Sequence, residues 1–414
     1  MKISNASFPI GFLGIAIINT FFTQWIVYYH AETGIESGTW IGVGTVLSMG
    51  YILQGIWSPF VGHWIDHIKM TRKTIILLTV IPFAGLFYYL FQIESFYLSA
   101  LCMVLFNLIF VLIVQPYMSM LPIIEPVKDK RVILAVVGAL LAIFGSVIAL
   151  SSGPLIIEKY GFDGIGIGGG VVLLLAIGLP VLGISLPAKK DIRDSSDFFR
   201  DFIHYCMKVR SKPKVIMFLL GNGLTFVVVT TITIITPFVA VGVLGKEPSY
   251  TFTLNVSLSV GMLCSTVFLF IFAKRLNMLK TQGYLAMVCA SALLALCIAM
   301  ILLPNGEHLE LVWIVVYGLL GAVVLGALVC PSLVLSGFGD EDSGGNEGLL
   351  FGLNGLGVNF GNALASQIVA LFLFSSFDFD ARSQVQYSIV FACVMSAMSA
   401  LLLYKAARLS ENTL

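Results

Sequence analysis

Twelve apolar stretches of span length dominate the 414-residue chain, at about residues 8–30, 39–62, 74–93, 97–121, 132–153, 166–187, 215–243, 251–273, 282–303, 311–336, 348–374 and 386–405. The hydrocarbon core of a bilayer is about 30 Å thick, and a helix crosses it in roughly 20 residues. Each stretch is therefore long enough to span, and together they leave little chain for anything else. A water-soluble surface is excluded, because 58% of residues are hydrophobic, 11% are charged and the mean hydropathy is +0.98. The alternating pattern of outer-membrane barrel strands is absent, so the expected class is an all-α membrane protein. The first stretch ends in Tyr28-Tyr29-His30 rather than in a small-residue cleavage site, which makes it a span and not a removed leader.

Assigning successive connections to alternate sides puts all but three of the 23 Lys and Arg on one side; Lys159, Lys246 and Arg382 alone fall on the other. Cytoplasmic loops collect basic residues. The partition therefore calls for an even number of spans with both termini in the cytoplasm, in a multi-pass protein of the plasma (cytoplasmic or inner) membrane. The longest polar stretch, Lys189 to Lys214, leaves six spans on each side. The expected organisation is an N-terminal half over 1–187, a linker over 188–214 and a C-terminal half over 215–414. Within the linker Phe198, Phe199, Phe202, Ile203, Cys206 and Met207 recur at helical spacing among Arg200, Asp201, Lys208 and Arg210. That pattern suits a helix lying in the membrane interface. It reads first as a tether and, as an alternative, as a regulatory or partner-binding helix.

Six plus six spans about a polar linker resembles the major facilitator superfamily. The resemblance implies inverted three-helix repeats in each half and a substrate site between the halves near the midplane. After the second span, Gly62-His63-Trp64-Ile65-Asp66-His67-Ile68-Lys69-Met70-Thr71-Arg72-Lys73 resembles that superfamily's cytoplasmic signature. By that resemblance Gly62, Asp66 and Arg72 are gating residues: the glycine admits a neighbouring helix, and the acid faces a helix N-terminus with basic residues nearby. The equivalent place in the second half, Ala273-Lys274-Arg275-Leu276-Asn277, has neither glycine nor acid.

Further stretches resemble the glycoside-pentoside-hexuronide carriers, the melibiose-carrier group. They are Gln115-Pro116-Tyr117-Met118-Ser119-Met120-Leu121-Pro122 followed by Arg131, then Cys330-Pro331-Ser332, Gly339-Asp340-Glu341-Asp342, Glu347-Gly348 and Gly361-Asn362-Ala363-Leu364-Ala365. This second resemblance implies buried acids in spans one, two and four. Here those places read Asn19, Gln54, Ser58 before Pro59, and Val114 and Gln115 before Pro116, while Asn359 or a neighbour replaces a lysine of span eleven.

All 22 acids fall in a connection or at a helix end. Charges inside the membrane are costly and usually mark ion or proton paths, so their absence there argues against a cycle driven by carboxylates. What remains for binding is neutral. Amides and hydroxyls can hydrogen-bond an uncharged polyol or amide while aromatic rings cover its apolar faces. The expected substrate-binding set is Asn19, Gln24, Gln54, Ser58, Gln115, Tyr117, Asn222 and Asn359. The alternative for each is a hydrogen bond between helices.

Other apparent motifs carry less. Gly164-Ile165-Gly166-Ile167-Gly168-Gly169-Gly170 imitates a dinucleotide fingerprint but leads into a span instead of following a strand. Gly357 and Gly361 suit helix packing. The acids of Asp340 to Glu347 resemble a calcium loop only faintly, since the twelfth position is Phe351. The seven cysteines lie singly and read as core residues, and the five histidines form no metal-ligand spacing. Net charge is +1, with no reason to expect nucleic acid. No cofactor, metal or enzymatic activity is expected. The expected partners are a small-molecule substrate and the bilayer, with the chain a monomer. The expected function is alternating-access transport of a small neutral or amphipathic organic solute, possibilities including a sugar. The alternatives are a cation-coupled sugar symporter, an exporter of lipophilic compounds, and a non-transporting receptor or scaffold of transporter shape.

Overall fold

The computed structural model describes residues 7–33, 40–67, 70–125, 128–185, 198–272, 277–303, 306–341, 347–374 and 381–411. The described residues contain helices and turns and no strand. In chain order the helices are α1 (Ile10–Thr33), α2 (Trp40–His67), α3 (Arg72–Leu90), α4 (Phe96–Ile124), α5 (Lys128–Val172), α6 (Leu179–Gly183), α7 (Phe198–Arg210), α8 (Pro213–Phe238), α9 (Thr251–Phe272), α10 (Met278–Leu302), α11 (Glu307–Glu341), α12 (Glu347–Phe374) and α13 (Ala381–Glu411). A π-helical turn, Leu173–Gly178, joins α5 to α6, and another, Val239–Val243, extends α8.

The apolar run Val137–Gly183 is 47 residues long. At 1.5 Å per residue a straight helix of that length would measure about 70 Å, more than twice the hydrocarbon core. The break falls at Gly161, with φ 67° and ψ −168°. That backbone region is essentially open only to glycine. Two passes result, and the layout is the twelve-helix, two-half architecture of an all-α membrane protein. Several helices outrun their apolar stretches: α11 extends to Glu341 and α13 to Glu411. Backbone hydrogen bonds i to i−4 are satisfied equally well in headgroup and water, so hydropathy does not mark where a helix stops.

The chain clusters into two compact units, one of residues 1–35 and 56–199, the other of residues 36–55 and 200–414. In the first, α1 packs along α5, and α3 lies between α4 and α5. Its interior is aromatic. Phe22 stacks on Phe106 with ring centroids 3.9 Å apart, and Phe83, Phe87 and Phe110 close around Phe106. The glycine run that imitates a nucleotide motif is helical and receives α3: a Cβ on Gly166 would lie 2.9 Å from the Tyr88 carbonyl, and one on Gly169 would enter the Phe87 ring.

In the second unit, α8 is flanked by α12 and α13, α9 packs on α11, and α10 on α11 and α13. Here backbones approach closely. A Cβ on Gly361 would collide with the Gly223 carbonyl, and one on Gly223 would lie 2.8 Å from that of Gly357. The α9 and α11 pair meets the same way, through Gly261 and the Gly318 carbonyl. Small residues let dispersion contacts form along the backbone itself, which is how helices associate where lipid supplies no hydrophobic drive.

Candidate functional site

On α1, the positions at 12, 15, 16, 19, 20 and 23 fall on one helical face, and none of them is buried. Asn19 is exposed there, with Thr20 half-buried. Gln24 projects elsewhere and is fully buried, at 0% exposure. The two residues therefore do not share a surface.

On α4, Gln115 is half-buried and its Nε2 donates to Ser58 Oγ of α2 at 3.1 Å. This is the one pair of expected binding residues joined by a hydrogen bond among the described residues. The bond uses one amide hydrogen, so Gln115 retains a second N–H and its carbonyl oxygen, an inventory suited to a partner that both donates and accepts. Two residues further along α4, Tyr117 points away. Its ring stacks on Phe8 with centroids 4.8 Å apart, its hydroxyl donates to the Phe8 carbonyl, and it is wholly buried. The Tyr117 ring also fills the space a Cβ on Gly11 would need. In this structure Tyr117 is a packing residue of the α1 start, because a phenol in an apolar interior takes a hydrogen-bond acceptor within reach, here the Phe8 carbonyl that also accepts from Gly11.

In the second unit, Gln54 is half-buried on α2, and the next residue, Gly55, packs against Asn359 and Leu356 of α12. A Cβ on Gly55 would lie 3.2 Å from that of Asn359. Asn359 is 8% exposed and donates to its own helix, at the Gly355 carbonyl 2.9 Å away. Nearby on α2, Ser48 donates to the Ala363 carbonyl at 2.6 Å.

Asn222 of α8 is fully buried and central to a three-helix amide chain. Gln282 Nε2 of α10 donates to Asn222 Oδ1 at 2.8 Å, and Asn222 Nδ2 donates to Asn354 Oδ1 of α12 at 2.9 Å. Eight residues along each of α8 and α12 the register repeats, with Thr230 donating to Asn362 at 2.7 Å. Asn222 is thus engaged in helix association. Sequence reasoning overlooked Gln282, which stands at the edge of its apolar stretch; the available signal was a long amide at helical register with apolar neighbours on both sides.

The expected gate divides. A Cβ on Gly62 would meet nothing within 4 Å, so close helix approach is not what this glycine provides in this conformation. The Asp66 side chain lies outside the described residues, as does the Ala273–Leu276 stretch. Arg72 Nε donates to Ser119 Oγ of α4 at 2.8 Å, and Ser119 donates in turn to the Pro116 carbonyl at 3.0 Å. Lys73 Nζ donates to the carbonyls of Leu182 and Ile184 at 2.7 and 3.1 Å, capping the end of α6. These basic residues pin the start of α3 to α4 and α6 inside one unit.

In the second unit, between the end of α8 and the start of α11, Lys246 pairs with Glu310 at 3.1 Å, and the Tyr250 hydroxyl donates to the same carboxylate at 2.5 Å. Burial, then the hydrogen bond to Glu310 and that carboxylate's charge, raises the Tyr250 phenol well above its ordinary range. Arg382 donates to the Leu303 carbonyl at 2.7 Å and to that of Met300, closing the end of α10. Lys246 and Arg382 are therefore used as local ties, and Lys159 lies over the Tyr160 ring, 5.2 Å from its centroid.

No curated protein matches the sequence significantly. Among solved structures, the nucleoside transporter NupG is similar with a TM-score of 0.72 at 11% identity, over 97% of this chain and 99% of that one. A bacterial homolog of the human lysosomal transporter Spinster, inward-facing and unoccupied, gives 0.70 at 15% over 99% and 98%. A structure of proton-dependent oligopeptide transporters gives 0.71 at 12% over the whole of both chains. Identities this low speak for the fold. The profile of the Major Facilitator Superfamily matches residues 10–339. With most of its length inside that match and a fold shared end to end with known transporters, the chain belongs to the Major Facilitator Superfamily.

Proposed function

We propose that the protein is a secondary transporter that moves a small neutral or amphipathic organic solute by alternating access, without coupling to sodium or protons. The observation that carries this reading is the chemistry of the interior. Among the described residues the buried polar side chains are Asn, Gln, Ser, Thr and His30, with no buried Asp, Glu, Lys or Arg. A sodium site gains from at least one carboxylate among hard oxygen ligands, and a proton carrier needs a titrating group on its path, whereas the buried His30 stands in the last turn of α1, hydrogen-bonded to Ser99. Amides and hydroxyls instead suit an uncharged ligand with donors and acceptors of its own. The names of the similar structures, for nucleosides and peptides, support a small polar organic solute.

The proposed contacts are Asn19, Gln24, Gln54, Ser58, Gln115 and Asn359, with Gln115 and Ser58 as the centre of the set in the first unit. Tyr117 and Asn222 support helices that carry these residues. Gly62, Asp66 and Arg72 belong to the gate by their motif, Arg72 acting through α4. Both termini are cytoplasmic in this reading, in the plasma or inner membrane, and the working unit is a monomer. A cation-coupled sugar carrier is the second reading, favoured by the likeness of Gln115 to Pro122 to the melibiose-carrier group.

The test is uptake into proteoliposomes across a panel of labelled nucleosides, sugars and small amides, with and without sodium and proton gradients. Equilibrating uptake, indifferent to sodium and shallow in pH, is expected. Gln115→Leu should weaken solute affinity by about 1–3 kcal/mol, the cost of one unmade hydrogen bond at a desolvated site. Sodium-driven accumulation above equilibrium would reject the uncoupled mechanism in favour of the second reading.

A further inference from the structure

Helix α7 offers two faces. Val209 is 6% exposed and sits with Val215, Phe218, Leu279, Leu335 and Phe338 in the apolar cluster that closes one end of the second unit. Residues 200, 203, 207 and 210 share a different face, spaced i, i+3, i+7 and i+10. All four are exposed: Ile203 at 51%, Met207 at 62%, with Arg200 before them and Arg210 after. Only Ser211 and Lys212 separate α7 from Pro213, where the spanning helix α8 begins. Two residues reach at most about 7 Å, so α7 is held at the level of the headgroups. The segment 200–214 carries Arg200, Lys208, Arg210, Lys212 and Lys214 against one acid, Asp201.

We propose that this outer face of α7 is a docking surface for anionic phospholipids of the adjacent leaflet, with Ile203 and Met207 entering the acyl boundary and Arg200 and Arg210 binding headgroup phosphates. The apolar pair at the centre and the guanidinium groups at both ends match the layering of a bilayer surface, in which carbon lies below and phosphate above. A guanidinium fork meets a phosphate through two parallel N–H···O bonds, and a headgroup with net negative charge strengthens that contact over a zwitterionic one, whose choline offsets the phosphate. The opposite face is already committed through Val209, so lipid contact does not compete with packing. Bound lipid would fix the linker at the start of α8, the helix that carries Asn222, Thr230 and Thr236.

The test uses full-length protein with M207C as the labelling site and C206S, C264A and C393A to remove the other exposed or half-exposed thiols; Cys102, Cys289, Cys297 and Cys330 are buried. Bimane on residue 207 is measured in nanodiscs of phosphatidylcholine doped with brominated phosphatidylglycerol or, at equal mole fraction, brominated phosphatidylcholine. Both should quench, and phosphatidylglycerol should associate more tightly by about fivefold for each arginine, from roughly 1 kcal/mol per basic residue near an anionic surface. R200Q/R210Q should abolish that preference while leaving the quenching by phosphatidylcholine. Equal quenching by the two lipids in the unaltered arginine background would overturn the recognition of anionic lipid. No quenching by either would overturn lipid docking altogether and leave the face to water or to a cytosolic protein. The same label on I203C supplies a second reporter should M207C fold poorly.

Discussion

The two units hold their helices together by different means. In the first, large rings fill the interior: Trp25, Phe22, Phe83, Phe87, Phe91 and Phe106 are all wholly buried. Its polar ties gather at helix ends, as in Ser7 to the Pro180 carbonyl at 3.2 Å, Arg72 to Ser119, and His30 to Ser99 at 2.9 Å, with Gln115 and Ser58 the exception. The second unit places glycine at its contacts and runs hydrogen bonds along the whole of α8. Asn222, Thr225, Thr230 and Thr236 each bond a neighbouring helix, to Asn354, Ser399, Asn362 and Tyr317. Ring packing leaves few polar side chains among the apolar ones, and the hydrogen-bonded pair Gln115 and Ser58 is conspicuous there. A polar ladder consumes the same residue types in structure. A buried amide therefore points towards ligand binding more strongly in the first unit than in the second.

The largest effect should come from the aromatic interior. Phe106→Ala removes the ring on which Phe22 stacks and around which Phe83, Phe87 and Phe110 gather, and should cost about 3–5 kcal/mol. Unfolding of the purified protein in detergent reads this directly, and a loss under about 1 kcal/mol would break the contrast. Next in size is the glycine contact. Gly361→Leu forces α8 and α12 apart and should destabilise by about 1–3 kcal/mol or more, whereas Gly62→Leu enters open space and should leave the melting temperature unchanged. Equal sensitivity at both positions would remove the special role given to close backbone approach.

The amide chain permits a sharper measurement. Asn222→Leu leaves Gln282 and Asn354 without their shared partner and should cost about 1–3 kcal/mol. Adding Gln282→Leu should recover part of that loss, so a double-mutant cycle should return a coupling of about 0.5–3 kcal/mol. Additive losses would show that the three amides do not act together. The smallest effect belongs to Ser119→Ala, which removes the hydroxyl that accepts from Arg72. A stability loss of about 0.5–1.5 kcal/mol with unchanged solute affinity is expected. A large change in affinity would place the Arg72 contact nearer the solute than its position at the start of α3 suggests.

Much of this architecture was legible in the sequence. Stretch length, the one-sided distribution of Lys and Arg and the polar linker each follow from the bilayer acting as solvent, which constrains every residue in the same way. The amphipathic pattern of 198–210 likewise reads as a helix before any coordinates are known, and the structure makes it one. The candidate site was less legible. Asn19, Gln115 and Asn222 look alike in a sequence, as amides in apolar surroundings. Their neighbours separate them: an exposed face for Asn19, Ser58 for Gln115, and two further amides for Asn222.

The sequence by itself determined that the chain spans a membrane repeatedly, in two sets of six helices, with no acid placed at mid-membrane depth. Those properties depend on composition and spacing along one dimension. Only the tertiary structure decided that Tyr117 seals the start of α1, that Gly223 and Gly361 meet through their backbones, and that Asn222 is bound on both sides. The two partners of Asn222 stand 60 and 132 residues away along the chain, and whether an amide is engaged depends on which distant helix reaches it.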